Sequence, residues 1–181
     1  MSRIGKKVIK IPEGVEISLH EREVKVSGKM GTISRLMPKG CKIEIDGAQI
    51  KISREDGLKE KKGRIVHGLV RSLINGMVVG VSEGFAKKLN INGIGYKVEK
   101  KGSDLHFTLG YSHPIILQIP KSLEITVGEK NINMEIKGYD KQLVGEWAAK
   151  IRDLKVPEPY QGTGIKYSDE IIKKKVGKTG A

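Results

Sequence analysis

The chain has 181 residues, enough for one large or two small domains, and its 34 Lys and Arg against 21 Asp and Glu give a net charge of +13. That excess favours a polyanionic partner through counterion release. Cys41 is the single cysteine, which excludes an intrachain disulfide and a cysteine-rich zinc site and fits a reducing cytosol. No run approaches the roughly 18 apolar residues of a membrane span, and the basic start MSRIGKK leads into IPEG rather than an apolar signal core, so a soluble cytoplasmic protein without a secretion signal or membrane partner is expected.

Glycine is abundant, 23 residues, and falls where alternating apolar runs break, as it does between short strands joined by tight turns. Val15, Ile17 and Leu19 alternate with polar residues, Val24 and Val26 follow up to Gly28, and Ile33 with Leu36 extends the meander. In CKIEIDGAQIKIS the pairs Ile43/Ile45 and Ile50/Ile52 flank Asp46 and Gly47, a hairpin signature. From Leu58 to about Val79 the residues Ile65, Val66, Leu69, Val70, Leu73, Ile74, Met77 and Val78 recur at helical spacing, so that stripe is expected to be buried, with Arg64, His67, Arg71 and Asn75 on the solvated face. Gly80 and Gly84 mark a boundary, giving a first domain of residues 1–81.

The plan then repeats. A shift of 74 carries Val24 to Val98 and Gly28 to Gly102; a shift of 82 carries Pro38 to Pro120, Ile43 to Ile125, Ile45 to Val127 and Ile50 to Ile132, with YSHPIILQ as the eight extra residues. A second helix starts after Asp140, a favourable N-cap, and runs through Leu143, Val144, Trp147, Ala148, Ile151 and Leu154 before Pro157. On the larger shift Ile65 and Leu69 meet Trp147 and Ile151. The expected fold is therefore α+β: two tandem duplicated domains, each an antiparallel sheet packed against one helix, with 82–156 as the second domain and 157–181 as an extended basic tail.

That tail opens with VPEPYQGTGIKY, Val156 to Tyr167. Pro157 and Pro159 stiffen it, and Gly162 and Gly164 let backbone amides approach a partner. Tyr160 and Tyr167 stand near Lys155 and Lys166, so rings can meet sugar or base while ammonium groups meet phosphate. Lys173, Lys174, Lys175 and Lys178 add terminal charge. A solvated, disordered end is the alternative, and the tail is expected to be unfolded when alone. The glycine loop INGIGYK brings Tyr96 and Lys97 to the same second copy, and His113 in LGYSHP stands in a turn where it can donate to phosphate.

Catalytic motifs fail on context. GVSEG around Ser82 matches a nucleophile elbow in letters, yet a helix precedes it and a strand follows, the reverse of what an elbow needs. Gly177, Lys178 and Thr179 end like a P-loop, but position 172 is Ile and no helix can follow. Gly93 and Gly95 lack the third glycine of a dinucleotide fingerprint. His20, His67, His106 and His113 are scattered, so neither a metal nor a cofactor is indicated, and no enzyme activity or small-molecule substrate is expected.

SRIGKK with IPEGVEI, GIGYKV, LGYSHP, GYDKQLVGE and PEPYQGTGIKY, in this order over essentially the whole chain, resemble the bacterial-type large-subunit ribosomal protein six family. The resemblance implies a two-domain structural protein that binds 23S rRNA near the sarcin–ricin loop and the stalk base, beside neighbouring large-subunit ribosomal proteins and facing the translation GTPases. The family's strap signature falls on Pro157, Glu158, Pro159, Tyr160, Gly162, Gly164, Ile165 and Tyr167. Where the family usually has lysine this chain has Gln161 and Thr163, which shifts the expected phosphate contacts to Lys155, Lys166 and the terminal lysines. The rival reading, a regulatory binder of single-stranded RNA, needs a stacking platform, and one Trp, five Tyr and two Phe supply little for one.

Overall fold

The computed structural model describes residues 2–55, 60–128 and 130–178. The chain divides into two compact units, Met1–Gly84 with Tyr139–Lys141, and Phe85–Gly138 with Gln142–Ala181.

The first unit contains β1 (Ile9–Lys10), β2 (Glu16–His20), β3 (Glu23–Gly28), β4 (Gly31–Leu36), β5 (Cys41–Asp46), β6 (Gln49–Arg54) and α1 (Glu60–Ser82). The strands form two antiparallel three-stranded sheets, β2-β3-β4 and β1-β6-β5, where a single sheet was expected. Strand alternation sends Val24, Val26 and Ile33 inward from the first sheet and Ile9 and Ile50 inward from the second, onto Val70, Ile74, Met77, Val78 and Val81 of α1. Each fully buried aliphatic side chain is worth about 1.5–3 kcal/mol.

The helix is rotated from its expected setting. His67, assigned to the wet face, is 1% exposed, and its Nε2 donates to the Ile52 carbonyl at 2.8 Å. Ile65 and Leu69, assigned to the buried stripe, face water. The apolar residues cover more than half the helical circumference, so periodicity alone allowed two settings, and contact with β6 decides between them. The expected start at Leu58 lies outside the described residues. Lys61–Ser82 is also long and apolar enough to cross a membrane on length and composition, a point missed by looking for unbroken apolar runs, but it is the core helix of this unit.

The second unit repeats the design with β7 (Phe85–Asn92), β8 (Lys97–Lys101), β9 (Asp104–Thr108), β10 (Ile115–Gln118), β11 (Leu123–Val127), β12 (Asn133–Gly138) and α2 (Lys141–Asp153), then adds β13 (Gly164–Tyr167). Its sheets are β8-β9-β10 and β7-β12-β11, the same order as in the first unit, with β13 joined to the free side of β7. Topology therefore pairs β3 with β9, so a shift of 81 carries Val24 and Val26 to the buried Leu105 and Phe107. The 74-residue alignment is one strand out of step. YSHPIILQ is no insertion, because it holds β10, the counterpart of β4.

A boundary after Val156 is also absent. Ile165 of β13 is fully buried opposite Ile91 of β7 and belongs to the second core with Leu89, Phe107, Ile136 and Ile151. The strap is thus an edge strand of the second unit, because its Ile-Lys-Tyr alternation places one apolar residue on the core side.

Candidate nucleic-acid interface

Beyond α2, the prolines end helical bonding and the chain makes a closed loop. Glu158 N–H donates to the Thr163 carbonyl at 3.0 Å, and Gln161 N–H donates to the Glu158 carboxylate at 3.1 Å. Ile165 N–H then donates to the Lys155 carbonyl at 2.7 Å, drawing the strand against the segment that left the helix. Gly164 permits this approach: its φ is 137°, and a Cβ there would lie 2.7 Å from the Lys155 oxygen and from the Pro157 Cα.

A second fastening lies three residues past the strand. The Glu170 carboxylate accepts from Arg152 Nε at 2.9 Å, from Arg152 Nη2 through its other oxygen, and from Tyr167 N–H at 3.2 Å. This bidentate pair ties the tail to the last turn of α2. The Arg152 guanidinium holds the Glu170 carboxyl below the usual glutamate range, and Glu170 in turn raises Arg152. Neither residue was singled out in the sequence, since 18 positions separate them and no local pattern links them.

The tail then folds back. Lys175 N–H donates to the Pro159 carbonyl at 2.8 Å, and the position of a Gly162 Cβ is 3.8 Å from Lys174 Cε. The Lys174 side chain and the Lys175 backbone thus reach the loop carrying the neutral Gln161 and Thr163. Lys173, Lys174, Lys175 and Lys178 are all exposed.

The remaining expected contacts divide. Lys166 stands on the outer side of the sheet opposite Asn90, beside a shallow cleft of about 340 Å³ lined by Lys88, Asn90, Thr126, Asn133, Glu135 and Ser168. Inward Leu89 and Ile91 place Lys88 and Asn90 outward, a pattern readable in the sequence but not used. Tyr160 is exposed. Lys155 lies over the Tyr111 ring at 4.7 Å, and Tyr111 Oη donates to the Leu154 carbonyl at 3.0 Å. Tyr167 packs against the core, with the Lys87 ammonium and the Arg152 guanidinium 5.5 and 5.9 Å from its ring centre. Tyr96 is likewise a packing residue: its ring lies so close to Gly93 and Gly110 that a Cβ at either would meet it at 2.5 or 3.1 Å. Both tyrosines are half-buried and contribute to packing. Lys97 pairs with Glu99 at 2.7 Å on the surface, and His113 is exposed in the turn before β10.

The enzyme alternatives gain nothing from this geometry. Ser82 ends α1 with its Oγ donating to the Val79 carbonyl at 3.1 Å, with no strand before it. Among the described residues no cluster of three His, Cys, Asp or Glu is arranged to hold a metal.

Comparison with known proteins agrees with the duplicated architecture. The family model "Ribosomal protein L6" matches residues 11–84 and again residues 92–168, one match for each unit. Among curated proteins, "Large ribosomal subunit protein uL6" of Geotalea daltonii is 51% identical over 181 residues, covering 99% of both chains. Proteins of the same name from Lachnoclostridium phytofermentans and Carboxydothermus hydrogenoformans are 48% and 47% identical, covering 99% of this chain and 99% and 97% of their own. A doubled sheet-and-helix fold, a cationic strap fastened to the second copy and identity along nearly the whole length lead to one assignment: the chain belongs to the ribosomal protein L6 family.

Proposed function

We propose that the protein is a structural constituent of the large ribosomal subunit that binds 23S rRNA through its second unit. The observation that carries this reading is the double fastening of the strap, by β13 and by Arg152–Glu170, which holds Lys166 and the terminal lysines on an ordered scaffold. A cationic surface whose ordering entropy is spent during folding binds a rigid phosphate backbone at lower cost than a mobile tail does. The chemistry is positional: Lys166, Lys173, Lys174, Lys175 and Lys178 neutralise phosphates, Tyr160 rests on sugar, the amides around Gly162 approach the backbone, and Lys97 and His113 contribute at the rim.

Within the subunit we place this surface near the factor-binding region, at the sarcin–ricin loop and stalk base, with neighbouring ribosomal proteins alongside and translation GTPases opposite; the family resemblance supports that placement. The test is co-sedimentation with large subunits through a moderate salt wash, combined with competition between folded rRNA fragments and single strands of equal length. Retention with a preference for folded RNA is expected. Loss in the wash, or preference for the single strand, overturns the proposal and favours the regulatory alternative.

A further inference from the structure

The two copies of the fold provide an internal comparison. In α1 the buried positions include Gly63, His67 and Val70; in α2 they are Val144, Ala148 and Ile151, which a shift of 81 brings into register. On that register the exposed Glu146 and Lys150 of α2 correspond to Ile65 and Leu69 of α1, which are 62% and 46% exposed. One scaffold thus shows water a charged pair in one copy and an aliphatic pair, one turn apart, in the other.

The rim of the aliphatic pair is cationic. Lys61 and Lys62 precede it on the exposed side, and after its first residue, Glu60, α1 has no Asp or Glu through Ser82, whereas α2 mixes both signs. An aliphatic centre would strip water from phosphate and return nothing, which disfavours RNA as the occupant. A second copy would bring two cationic rims together, which costs affinity. An apolar residue flanked by carboxylates satisfies both centre and rim.

We propose that the Ile65–Leu69 face of α1 docks an acidic-flanked apolar segment of a neighbouring protein of the large subunit. The inference rests on the ribosomal assignment and adds a protein-facing side, on the first copy, to an RNA-facing second copy.

The test places a benzophenone amino acid at Ile65 or Leu69, with Glu146 and Lys150 as comparison sites, in protein assembled into large subunits and then irradiated. Probes at 65 and 69 are expected to join a protein peptide with Asp or Glu beside an aliphatic residue, while those at 146 and 150 do not. Adducts to rRNA or to a second copy, or no adduct from 65 and 69, overturn the proposal. A double variant, Ile65→Glu with Leu69→Lys, installs the second copy's residues at surface positions; it is expected to melt like the unaltered chain and to be incorporated about tenfold less well in competition with it, as loss of apolar anchors predicts. Equal incorporation contradicts the docking face. Absence of the unaltered protein from large subunits overturns the ribosomal assignment itself, and this proposal with it.

Discussion

At Gly164 the backbone needs a conformation that side chains rarely adopt, and the space for a Cβ is already filled by the Lys155 carbonyl and Pro157. Gly164→Val therefore combines backbone strain with overpacking, and we predict a loss of about 2–4 kcal/mol in the second unit, measured by denaturant unfolding. Lys174 makes a different kind of contribution. Exposed beside the strap loop, it acts through charge, so Lys174→Ala should weaken binding to every rRNA fragment alike and flatten the salt dependence by about one unit of slope. An unchanged slope removes Lys174 from the interface. Phe107, fully buried in the second core, tests packing alone: Phe107→Ala should cost about 3–5 kcal/mol by the same unfolding measurement.

Among the elements, the Arg152–Glu170 fastening gives the strap a pH dependence of definite sign. Glu170 is held below its ordinary range, so its contribution is present in full above the unfolded glutamate value of about 4.3 and is lost as pH falls through the depressed folded value. Arg152 is raised, so its contribution persists below its unfolded value, across the whole working range. The Tyr167 amide, which donates to the Glu170 carboxylate, should therefore be protected from exchange at neutral pH and lose that protection, relative to the intrinsic rate at each pH, under acid. In Glu170→Gln its protection should be low at both. Equal protection in the two proteins would show that β13 alone holds the strap.

Local pattern revealed the hairpin around Asp46–Gly47 and both helices, because their signals lie within a few residues of one another. The setting of α1 was hidden, since His67 looks polar in sequence and only the Ile52 carbonyl explains its burial. The strap strand was hidden for a related reason: Pro and Gly make it read as irregular, while its partner β7 lies more than 70 residues earlier. The lysines and tyrosines proposed for the interface can be named from the sequence. The fastening that organises them cannot, because it depends on contacts remote in the chain.

For the molecule as a whole, duplication is the main economy. One order of strands and one covering helix serve twice, and the two copies differ in additions and surfaces: β13 with the lysine-bearing tail on the second, an exposed aliphatic pair on the first. The expected repeat was correct in kind but one strand out of step in its first part, because short alternating strands match one another at several registers. With +13 net charge, binding to large-subunit rRNA should weaken steeply as salt rises, by the counterion-release relation.

The most direct test of the central claim is directed hydroxyl-radical cleavage from an iron chelate on Gln161→Cys, in a Cys41→Ser background, within assembled large subunits. Gln161 is exposed at the strap loop, so the probe reports what the strap faces. The account predicts strong cuts confined to 23S rRNA around the sarcin–ricin loop and stalk base; no cuts, or cuts no stronger than those from a probe on the first unit, would contradict it.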